Sequence, residues 1–156
     1  MENELYHYTE CGLDYVYLKN GFKFIETNYG KGVSIAGQIE LHKIIGVNVT
    51  KLPRKLKGQE IRFLRIELDL SQKALGQILG VTDQTVARWE KNQIEIPKSD
   101  DLVLRSLYRE TMEKKGKITD LIEQFSTGQS DITAIELFLE EKEQHWDVSS
   151  DSPMAA

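Results

Sequence analysis

Between residues 5 and 36 the apolar residues fall in short β-favouring runs: Tyr15 to Leu18, Phe22 to Thr27 and Val33 to Ile35. Asn20-Gly21 separates the first two, and Gly30 and Gly32 punctuate the next turn. Asn-Gly between such runs is a strong hairpin signal, because both residues tolerate positive φ. The pattern predicts a small antiparallel meander of about three strands, marginal by itself and in need of a covering helix. Residues 38–45 supply one, with Ile39, Leu41, His42 and Ile45 toward its apolar side. From residue 58 onward the period becomes helical. Ile61, Phe63, Leu64 and Leu68 mark one helix, two short helices follow up to Asn92, and Leu102, Leu104, Leu107 and Tyr108 mark a longer one reaching about Lys114. Lys115-Gly116-Lys117 stops that helix, Thr119 caps a short one with Leu121, Ile122 and Phe125, and residues 128–131 read as a loop. Residues 135–148 fit either a β-hairpin or a helix with an acidic face, and their shortness and weak stripe favour the hairpin.

The two short helices carry the sharpest local signals. Ser71 and Thr82 are side chains that cap helix N-termini by accepting from an orphan backbone N–H. Leu70 with Leu75, and Val81 with Val86, repeat the spacing of a hydrophobic staple. Gly80 stands where a helix ends on a positive φ, and Ala74 and Gly76 are small enough for two helices to approach closely. A three-residue turn forces a steep crossing, so the geometry is a helix-turn-helix. On a helical wheel started at Gln84, Arg88, Lys91 and Asn92 lie within about 80° and Thr85 at about 100°, with Val86 and Trp89 on the other side. Such a helix packs inward and presents Gln, Thr and Arg groups suited to base edges in a major groove.

Charge changes the picture when divided along the chain. The net charge is −5, yet residues 51–117 hold 15 Lys/Arg against 10 Asp/Glu, residues 1–50 hold 4 against 6, and residues 118–156 hold 1 against 9. The basic middle suits phosphate contact; the acidic ends do not. Val47 to Lys57 holds Pro53 among Lys51, Arg54, Lys55 and Lys57 and reads as a basic linker. No apolar run reaches the ~18 residues of a membrane span, and the start of the chain is acidic rather than signal-like. Cys11 stands alone, which fits a reducing cytoplasm and leaves no thiolate set for zinc at ligand spacing. No Ser-His-Asp order, P-loop or dinucleotide fingerprint occurs, so no enzyme is expected and no metal or cofactor.

The carrying residues Ser71-Gln72, Leu75-Gly76, Leu79-Gly80-Val81, Thr85-Val86 and Trp89-Glu90 resemble the helix-turn-helix of the XRE family, which includes the lambda-type repressors and many antitoxins. Along residues 6–110, the order Cys11-Gly-Leu-Asp14, Leu18-x-Asn-Gly-Phe22, Tyr29-Gly-x-Gly32, Leu41-His42 and Gly58-x-Glu-Ile-Arg-Phe-Leu-Arg65 is similar to zinc-lacking relatives of the MqsA-type antitoxins. The resemblance implies base contacts from Gln84, Thr85 and Arg88, and phosphate contacts from Gln72, Lys73, Lys91 and Asn92. It also implies a structural ion pair between Arg65 and Glu90, whose charge the wheel turns toward the protein.

The expected fold class is α+β. A small antiparallel β-rich N-terminal domain (1–50) leads through a basic linker (51–57) to an all-α, lambda-repressor-like helix-turn-helix domain (58–117). A C-terminal helix and hairpin (118–148) and a disordered tail (149–156) follow. The expected function is that of a cytoplasmic transcriptional repressor binding double-stranded DNA at a palindromic operator as a homodimer, in some members an autoregulating antitoxin of a toxin protein. The alternative is a protein-interaction or toxin-neutralising module in which DNA binding is secondary.

Overall fold

The computed structural model describes residues 4–113 and 135–151. Six strands and five helices occur among them: β1 Tyr6–His7, β2 Val16–Leu18, β3 Phe22–Thr27, β4 Gly30–Ile35, α1 Gln38–Val49, α2 Gly58–Glu67, α3 Gln72–Leu79, α4 Asp83–Glu90, α5 Lys98–Glu113, β5 Leu137–Lys142 and β6 His145–Val148. The class is α+β, as the sequence leads one to expect. The chain divides into a strand-bearing unit, 1–44 with 134–156, and a helical unit, 45–133.

The strand-bearing unit departs from a consecutive meander. Its main sheet has the order β1-β2-β5-β6, with β2 antiparallel to β1 and parallel to β5, while β3 and β4 form a separate two-stranded sheet. Asn20-Gly21 therefore does not close a hairpin between β2 and β3. Both edges of β2 are already taken, so the chain leaves the sheet there, with Gly21 at φ 76. The Asn20 amide bonds the backbone of Glu141, its Oδ1 accepting from the N–H at 2.6 Å and its Nδ2 donating to the carbonyl at 3.3 Å. A Cβ on Gly21 would stand 2.5 Å from the Trp146 ring, so only glycine lets the chain pass this buried indole.

Residues 137–148 form the hairpin expected of them, and β5 lies beside β2 in register Val16↔Leu137 and Leu18↔Leu139. All four of those side chains are buried. The opposite face carries a ladder of rings, His7 on Tyr17 at 4.5 Å and Tyr17 on Phe138 at 5.3 Å. The β5–β6 turn places Glu143 and Gln144 at φ 50 and 68, the left-handed pair of a two-residue I′ hairpin.

α1 covers less than its pattern suggests. Leu41 and Ile45 are buried, but Ile39 is 90% exposed, and His42 meets the Tyr8 hydroxyl at 2.7 Å instead of lying in purely apolar surroundings. The helix also runs to Val49, four residues past the expected end.

In the helical unit, the stretch read as a linker is packed and braced. Leu52 and Leu56 are buried. Buried Arg105 on α5 donates to the carbonyls of Thr50, Leu52 and Arg54 and meets Asp101 at 2.5 Å, while Asp101 accepts from Leu56 N–H at 2.7 Å. A basic run is solvated by default; here, every second or third residue is apolar and the backbone carbonyls turn inward onto a guanidinium. Glu60, fully buried, accepts from Lys57 N–H at 2.7 Å and pairs with Arg54 at 2.8 Å, so one of the basic side chains is neutralised within the fold. The helix expected after Thr119, the stop at 115–117, the loop at 128–131 and residues 152–156 of the tail expected over 149–156 lie outside the described residues, whereas Ser149, at the start of that tail, is buried with its N–H on the Phe138 carbonyl at 2.7 Å.

Candidate nucleic-acid interface

The geometry of α3 and α4 grows from their caps. Ser71 Oγ accepts from Ala74 N–H at 3.0 Å and Thr82 Oγ1 from Thr85 N–H at 3.2 Å, each satisfying a donor the helix cannot use internally. Gly80 takes φ 74, and Val81 N–H returns to the Gly76 carbonyl at 2.8 Å. A Cβ on Gly76 would lie 2.6 Å from the Val81 carbonyl oxygen. The turn thus needs glycine twice, once for conformation and once for space. Leu75, Val86 and Trp89 are buried where α3 packs on α4 and α4 on α2.

With that back face fixed, Gln84 and Arg88 are exposed on the front of α4, and Thr85, half-buried, sits with its hydroxyl 3.0 Å from that of Thr82. Lys73 and Lys91 are exposed at the start of α3 and just beyond the end of α4. Gln72 is half-buried and donates through Nε2 to Glu90 at 3.2 Å, which leaves one amide hydrogen for an outside acceptor. Asn92, at φ 58, accepts from Gly58 N–H at 2.8 Å. Its Oδ1 caps α2, so its NH₂ remains as a pure donor.

Arg65 and Glu90 stand together as a two-pronged pair, Nε to Oε2 at 2.6 Å and Nη2 to Oε1 at 3.1 Å, with 13% and 5% of their side chains exposed. Arg65 also donates to the Leu70 carbonyl at 3.0 Å. One guanidinium therefore ties α2, the entry to α3 and the last turn of α4, fixing the angle at which α4 presents its front.

Sequence reasoning missed three contacts behind this surface. Gly58 touches the end of α4 so closely that a Cβ would stand 2.2 Å from the Glu90 carbonyl oxygen. Nothing local distinguishes such a glycine from a helix start. Asn92 caps a helix 34 positions earlier, which no window of sequence reveals. Asp101 and Arg105, buried and four apart on α5, carried a readable signal, since opposite charges at that spacing share a helix face.

Cys11 Sγ donates to the Tyr8 carbonyl at 3.1 Å. Among the described residues no three His, Cys, Asp or Glu side chains converge as a metal site would require, and no helix is long and apolar enough to cross a membrane. What the α3–α4 surface offers is hydrogen-bond donors and positive charge on a rigid convex helix. That chemistry serves recognition of base edges and phosphates.

No curated protein and no solved structure matches the chain. Residues 61–104, which span most of α2 to the first half of α5, match the family model described as helix-turn-helix, so this part of the chain is similar to the XRE-type helix-turn-helix, a DNA-binding element of transcription regulators.

Proposed function

We propose that the protein is a sequence-specific transcriptional repressor of the cytoplasm that binds a palindromic operator as a homodimer. The observation that carries this is the front of α4: exposed Gln84 and Arg88 flanking Thr85, on a helix whose angle is locked from behind by Arg65 and Glu90. Arg88 suits a two-pronged bond to guanine and Gln84 one to adenine, each worth roughly 1–3 kcal/mol of discrimination. Lys73 and Lys91 contact phosphates, joined by the remaining donors of Gln72 and Asn92.

Arg88→Ala is expected to relax preference at one base pair per half-site, by about 10- to 100-fold at most. Lys91→Ala is expected to weaken binding to all sequences alike and to lower the salt slope by about one. Titration of both variants against a duplex selected from a random pool, and against its single-base variants at two salt concentrations, checks this. Equal loss for every sequence in Arg88→Ala makes Arg88 a phosphate contact and sinks the assignment.

One helix reads only about four or five base pairs, so a useful operator needs two copies about one helical turn apart. Sedimentation at micromolar concentration, with and without the selected duplex, is expected to give a dimer on DNA. A monomer under both conditions removes the palindromic reading.

A second reading is favoured by the β3–β4 hairpin, where Phe24 is 64% and Tyr29 100% exposed. An exposed aromatic hairpin suits a protein partner, as in an autoregulating antitoxin of the MqsA type that neutralises a toxin through its strand-bearing unit.

A further inference from the structure

Beside the C-terminal end of α4 the helical unit holds a cleft of about 550 Å³. One wall is residues 54–57, the other residues 92–96, and Ile61 and Trp89 form its floor. We infer that this cleft is a second DNA contact, in which Lys55 and Lys57 hold the sugar–phosphate backbone of the duplex that α4 reads. The inference rests on the DNA-binding reading above and extends its footprint beyond the helix-turn-helix.

Position is the first argument. Gly58 presses on the Glu90 carbonyl and bonds the Asn92 side chain, so Lys57 is anchored directly beside the last turn of α4, next to exposed Lys91. Rigidity is the second. Arg105 grips the carbonyls of Thr50, Leu52 and Arg54 from beneath, so the cations above are set on a fixed backbone and lose little freedom on binding.

The available charge is the third. Residues 51–57 contain four cations and no acid. Arg54 is taken by buried Glu60, but Lys57 is exposed, and among the described residues Lys55 pairs with Glu95 at 3.6 Å, a surface pair of little strength. Across the cleft, Asn92 presents an NH₂ whose oxygen is already used. The lining sets Lys55 and Lys57 beside buried, apolar Leu56, Ile61, Trp89 and Ile96, and its part-buried cation, Arg54, is already held by Glu60. That arrangement fits a polyanion passing over the cleft better than a small anion entering it.

The experiment uses the full chain, a fluorescent duplex selected from a random pool, and the double variant Lys55→Gln/Lys57→Gln. Removing two phosphate contacts is expected to make the plot of log affinity against log salt shallower by about 1.8, so that between roughly 50 and 200 mM salt the variant loses about tenfold less affinity than the parent. Base preferences stay unchanged, and Glu95→Gln, which releases Lys55, tightens binding at low salt about two- to threefold. An unchanged slope in the double variant, with Lys91→Ala still lowering it, overturns the inference while leaving the DNA-binding reading intact. An unchanged slope together with inorganic phosphate raising the melting temperature of the parent but not of the double variant makes the cleft a small-anion site and likewise overturns it. A parent protein that binds no duplex overturns both readings.

Discussion

Replacing Arg105 by alanine is expected to cost the helical unit about 3–5 kcal/mol and to lower its melting temperature by more than about 10 °C. Arg105 is 1% exposed, and its guanidinium serves Asp101 and the carbonyls of Thr50, Leu52 and Arg54 at once. Its removal strands three inward-facing carbonyls and leaves the buried Asp101 carboxylate with the Leu56 N–H but without its cation. Arg105→Met separates charge from packing, because methionine keeps most of the alkyl stem. If the hydrogen bonds dominate, its loss in a thermal melt approaches that of Arg105→Ala. Losses below about 1 kcal/mol in both variants would show that the segment 50–56 stays in place by its leucines alone.

Glu90→Ala is expected to destabilise by about 2–3 kcal/mol, between the values for a surface pair and for a fully buried one. The 5% exposure of the Glu90 side chain argues for the upper part of that span, and the 13% exposure of Arg65 tempers it. The variant also frees Gln72, which donates to the same carboxylate. At a temperature where the variant remains folded, its affinity for the selected duplex is expected to fall further, since α4 has lost the tie that sets its angle. A double-mutant cycle with Arg65→Ala isolates the pair, and coupling of about 1.5 kcal/mol or more is expected. Strict additivity of the two single losses rejects the tie.

The helix-turn-helix was legible because its signals are local. Ser71, Gly80 and Thr82 announce where helices start and stop through bonds spanning three to five residues. The staple pairs and the apolar back of α4 lie within a single turn or two. The strand-bearing unit was legible only as a set of β-favouring runs. Which strand neighbours which is decided by contacts far apart in sequence, and Asn20-Gly21 misled for that reason: a good hairpin pair loses to β5, whose Leu137 and Leu139 bury the edge of β2. The β5–β6 hairpin formed as expected although its turn carries no such signal, since Glu143-Gln144 adopts the left-handed pair without a glycine or an asparagine. Ile39 shows a further limit. Periodicity says which residues share a face but not how much of that face finds a neighbour.

The pairing of β2 with β5 joins positions about 120 residues apart, with every α-helix among the described residues between them. During synthesis the helical unit, built from near neighbours, emerges and closes first. The sheet waits. Until residues 137–139 leave the ribosome, Val16 and Leu18 present an open, apolar strand edge, and an unpaired edge of that kind is a template for another chain. The last step of folding is therefore the one that silences a sticky surface, and the interval before it is when a nascent copy is most exposed to pairing with the wrong partner.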